Sequence, residues 1–62
     1  MNKEEFIENM VASGFSNDQI KRDCWNFVLK SYSNALSVEG MIYLAMDLYA
    51  DILKRLIDLD ER

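Results

Sequence analysis

Between Met41 and Leu59, apolar residues recur at helical spacing on two adjoining stripes. Met41, Ala45, Leu48, Ile52, Leu56 and Leu59 form the first; Ile42, Met46, Tyr49, Leu53 and Ile57 form the second. Together they exceed the ~100° apolar arc of an ordinary surface helix. Such a helix needs cover on two sides, and that need constrains everything else the chain can build. The polar strip left to it is narrow: Tyr43, Asp47, Ala50, Asp51, Lys54, Asp58 and Glu61. Asp51 with Arg55, Lys54 with Asp58, and Asp58 with Arg62 are spaced for i,i+4 pairing.

Two further helices are legible upstream. Phe6, Ile7, Met10 and Val11 make a helical stripe over residues 2–13, with Glu4 and Glu5 in the first turn, where carboxylates suit the helix dipole. Gly14 follows as a helix stop, because glycine takes positive φ freely. Phe15 stands just beyond it, placed to fold back on the helix. Ser16-Asn17-Asp18-Gln19 has the pattern of a capping box, a hydroxyl for the third amide and a Gln to reach back. It predicts a helix over 16–33 with Ile20, Cys24, Phe27, Val28 and Ser31 on one face and Trp25, Leu29 and Tyr32 beside it. Asp18 and Arg22 are spaced to pair. The third helix is expected over 37–60. No alternating strand pattern competes, so the fold class is all-α: a compact three-helix domain over residues 1–62, dimerising through its C-terminal helix.

The dimer expectation follows from size. A domain of about 60 residues buries only about 60% of the surface its unfolded chain exposes, and small scaffolds add disulfides, a metal or oligomerisation. One Cys and no His remove the first two. Trp25, Tyr32, Tyr43 and Tyr49, with Ile52 and Leu56, are the candidate residues for a dimer or partner interface, since Trp and Tyr dominate interface hot spots. Met10, Met41 and Met46 are read as core filling.

The same counts weigh against catalysis. There is no His to act as base, and Cys24 projects with Ile20, Phe27 and Val28, as a buried core thiol would. Asp47, Asp51 and Asp58 share a face with Lys54, Arg55 and Arg62, which reads as a salt-bridged surface and not an acid–base pair. No calcium loop or phosphate loop is present, so neither enzymatic activity, metal nor cofactor is expected. The N-terminal Met1-Asn2-Lys3-Glu4-Glu5 lacks the charge and apolar run of a secretory signal, and no stretch has the roughly 20 apolar residues of a membrane span. The expected location is the cytoplasm.

Residues 6–25 resemble the helix-turn-helix of DNA readers: helix, turn Gly14, apolar Phe15, Ser16 cap, and Ile20 six after the glycine. The resemblance implies a recognition helix over residues 16–30 that would use Lys21, Arg22 and Lys30. Two departures count against it. Met10 stands where that family has a small residue, and Asp18 and Asp23 interrupt the basic positions. A net charge of −4 also repels phosphates on average. The capped hairpin is similar, equally loosely, to small anti-repressors. The primary expectation is therefore a non-enzymatic protein-interaction module, a homodimer that binds an unidentified protein as a regulator or inhibitor. A phage or mobile element would carry such a chain, an expectation drawn from size alone. A helix-turn-helix regulator and a structural assembly subunit are the alternatives.

Overall fold

The computed structural model describes residues 1–60. Among them the chain forms three helices and no strand: α1 (Lys3–Ser13), α2 (Asn17–Tyr32) and α3 (Val38–Asp60). The expected contributions of Glu61 and Arg62, including the Asp58–Arg62 pair, lie outside the described residues.

Each helix starts on a side-chain cap. The Asn2 carboxamide oxygen accepts from the Glu5 amide at 2.8 Å, and its NH2 group donates to Glu5 Oε1 at 3.2 Å. Glu5 thus answers the cap by accepting from the Asn2 side chain, and it does more than sit in the dipole field. At α2 only half of the expected box forms. Ser16 Oγ accepts from the Gln19 amide at 3.3 Å, but the Gln19 side chain runs forward and donates to Asp23 Oδ1 at 2.9 Å. Ser37 Oγ caps α3 by accepting from the Gly40 amide at 3.2 Å.

The helices end as their residues dictate. Gly14 takes the left-handed conformation at φ 69° and turns the chain from α1 into α2. Phe15 is 44% exposed in the turn and stands outside the core cluster. Past Tyr32, the amides of Ala35 and Leu36 both donate to the Tyr32 carbonyl, closing the connection to α3 without a second glycine stop.

The core is shared by all three helices. Phe6, Ile7 and Met10 of α1 and Ile20, Cys24 and Val28 of α2 close on Met41, Leu48 and Ile52 of α3. α3 packs on both of its neighbours. At 1.5 Å per residue it is about 34 Å long and sets the 39 Å long axis of the molecule. The first apolar stripe therefore faces the core along most of its length, with Ala45 and Leu56 half-buried against it. Leu59 is the correction: it is exposed near the helix end, beyond the cover of its neighbours. Ser31, expected on the inner face of α2, is exposed as well.

Polar ties between helices centre on Arg55. Its Nη1 and Nη2 reach Glu4 Oε1 and Oε2 of α1 at 2.9 and 3.4 Å, and its Nε donates to Asp51 Oδ1 at 3.0 Å. The Asp51–Arg55 pair is the one expected from spacing, and the Glu4 fork is an addition from across the chain. Among the described residues, Asp18–Arg22 and Lys54–Asp58 do not pair.

Candidate interaction surface

α3 carries more apolar surface than α1 and α2 cover. On its uncovered flank, Val38, Ile42, Met46 and Ile57 are exposed, and Tyr49 and Leu53 are half-buried between them. At about 100° per residue these six positions fall on one continuous strip along the helix. Four of them belong to the second stripe read from the sequence together with Tyr49; Val38 extends it. Exposure is 45% at Ile42, 62% at Met46 and 57% at Ile57, against full burial at Ile52. Met46 is thus not core filling, unlike Met10 and Met41, which are buried. A thioether standing on an open strip is a conformable contact group.

The six residues expected at an interface divide. Tyr43 is 74% exposed at the edge of the strip, and Tyr49 lies within it. Ile52 is wholly inside the single-chain core, and Leu56 packs half-buried against that core. Ile52 is therefore a core residue, not a contact available to a partner. Trp25 and Tyr32 are half-buried on the core, and the Tyr32 ring meets Phe27 edge-on with centroids 6.5 Å apart. Val38, Ile42, Met46, Leu53 and Ile57 are the strip residues missing from the expected set. All but Val38 carry a signal in the second stripe, which residue type alone does not weigh.

Two shallow open grooves lie on this side. One is lined by Lys21, Ala45, Met46 and Tyr49, and the other by Glu39, Ile42, Tyr43 and Met46. Met46 separates them. Lys21 Nζ stands 5.5 Å from the centroid of the Tyr49 ring, within cation–π range. The lysine thus borders the strip on its α2 edge.

The basic residues of α2 do not form a single face. Lys21 is turned towards Tyr49 of α3, Lys30 borders the α1 side beside Phe6, Asn26 and Phe27, and Arg22 is exposed between them. Lys21 and Lys30 fall on opposite sides of the helix cylinder at about 100° per residue. Asp23 lies beside Lys30 on the α1 side.

Cys24 is buried and free of any disulfide. Burial, with a smaller contribution from the adjacent Asp23 charge, pushes its thiol up to about 11. Such a thiol is protonated at neutral pH and is a poor nucleophile. Among the described residues, no three His, Cys, Asp or Glu side chains converge to hold a metal ion, and no helix is long and apolar enough to cross a membrane. No protein-family model, curated protein or solved structure matches the chain.

Proposed function

We propose that this chain is a small non-enzymatic interaction module, a regulator or inhibitor acting in the cytoplasm. It works by docking one helical surface on another, and its α3 strip joins two copies as a homodimer. The observation that carries the reading is the uncovered strip on a helix whose opposite face already fills the core. Burying a large apolar side chain that was fully exposed contributes about 1.5–3 kcal/mol. Side chains that are half covered contribute a fraction of that each, and a row of them makes association favourable. A domain this small, with no disulfide, also gains the most from such a partner. The acidic balance suits a basic partner on the surfaces that the dimer leaves free.

Light scattering over a dilution series tests the dimer. The expected mass at high concentration is twice that of the chain; a single-chain mass at every concentration overturns it. Tagged capture from the native host lysate, with and without nuclease, tests the regulator. A stoichiometric protein partner that survives nuclease is the expected result. Recovery of nucleic acid, with protein lost after nuclease, contradicts it.

A further inference from the structure

The spacing of the strip is a palindrome. Val38, Ile42, Met46, Tyr49, Leu53 and Ile57 are separated by steps of four, four, three, four and four. Read from either end, the set is the same about a point between Asp47 and Leu48. A second copy crossing antiparallel at that point would bring Val38 opposite Ile57 of the partner subunit, Ile42 opposite its Leu53 and Met46 opposite its Tyr49. Every strip residue then meets an apolar counterpart, and the contact is isologous, as a closed dimer requires.

A parallel copy in register would cover the same strip, so charge decides the direction. Parallel pairing sets Asp60, near the centre line of the strip, beside its own copy, and it places the two helix dipoles side by side with like ends together. Antiparallel pairing places Glu39 on the same flank as Lys54 of the partner subunit and near its level. It also carries the exposed Asp60 towards the N-terminal end of the partner's α3, where the helix dipole favours a carboxylate. Like charges that would face each other in one orientation face opposite charges in the other.

We infer that the occupant of the strip is a second copy of this chain, running antiparallel about a two-fold axis beside residues 47 and 48, with Glu39 paired to Lys54 of the partner subunit. This rests on the homodimer reading above and adds its direction and register. Disulfide exchange tests it in the 62-residue chain. The variants Val38→Cys and Ile57→Cys, both at exposed positions, are mixed in equal amounts in a glutathione redox buffer, with Cys24 protected by burial. Far-UV circular dichroism and sedimentation confirm that each variant is helical and report its mass. The expected product is the mixed 38–57 disulfide, in several-fold excess over either self-disulfide. A dimer that yields mainly 38–38 and 57–57 disulfides, or a statistical mixture, overturns the register and leaves the homodimer standing. A single-chain mass with no cross-linking overturns both.

Discussion

The rings of Phe6 and Phe27 stack with centroids 4.4 Å apart and planes 13° from parallel, so α1 is held to α2 by two aromatic faces. Phe6 is buried and Phe27 half-buried, and Tyr32 extends the cluster edge-on. A single domain of this length is held by a net of about 3–9 kcal/mol. Truncating Phe27 to Ala removes the stack and leaves a hole beside Phe6, a loss of about 2–4 kcal/mol. Urea unfolding of Phe27→Ala should show a midpoint far below that of the parent chain. An unchanged midpoint would mean that α1 is held by other contacts.

The two glycines respond to alanine in opposite directions. Gly14 sits at φ 69° with open space where a Cβ would project, so Gly14→Ala is penalised by backbone strain alone, at about 1–2 kcal/mol. Gly40 lies in the first turn of α3, where an added Cβ would meet Leu36 Cβ and Ser37 Oγ at 3.5 Å, ordinary contact distance. Gly40→Ala therefore gains helix propensity, up to about 1 kcal/mol. Thermal melts of the two variants should move to either side of the parent melt.

Burial of Cys24 gives the fold an alkaline weakness. The ordinary thiol value is 9.0 and the folded value about 11. Between the two, the unfolded chain gives up the thiol proton while the native chain keeps it. The unfolded state then binds fewer protons, so stability falls as pH rises from about 9 to about 11, by at most roughly 3 kcal/mol. Below pH 9 this group adds no slope. Urea titrations at neutral pH and at pH 10.5 should show a larger alkaline loss for the parent chain than for Cys24→Ala. At neutral pH the native thiol should resist alkylation and the urea-unfolded thiol should react.

Arg55 ties α1 to α3 through Glu4, and both carboxylates it touches favour its charged form, the Glu4 hydrogen bond most. The fork is partly open to solvent. Glu4→Gln should lower the melting temperature slightly in low salt, and the difference should shrink as salt is added. A deficit that salt leaves untouched would show that the lost contact was packing and not charge.

The backbone was largely legible because its stops and starts are local. Gly14, Ser16 and Ser37 each act within one turn, so α1 ends and α2 and α3 start where those residues put them. The Asn2 cap is equally local, since Asn2 and Glu5 stand one turn apart. The Glu4–Arg55 fork joins residues 51 positions apart, and no periodicity reports such a contact. The division of the α3 surface was legible only in part. Spacing shows which residues share a stripe, as it did for Ile42, Met46 and Leu53. Which stripe is covered depends on where α1 and α2 come to lie. Ile52 therefore lies in the core and Met46 on the surface, a division that stripe spacing alone does not make.

In the proposed homodimer the α3 strip, with Met46 at its middle, joins two chains. Sedimentation equilibrium of the parent chain beside Met46→Glu tests it most directly. The substitution lies on an exposed position of a continuous helix, so helix content should be unchanged by circular dichroism. The account predicts a dimer for the parent chain and a helical monomer for Met46→Glu at the same concentration. A parent chain that sediments as a monomer throughout, or a Met46→Glu variant that dimerises as tightly as its parent, would contradict it.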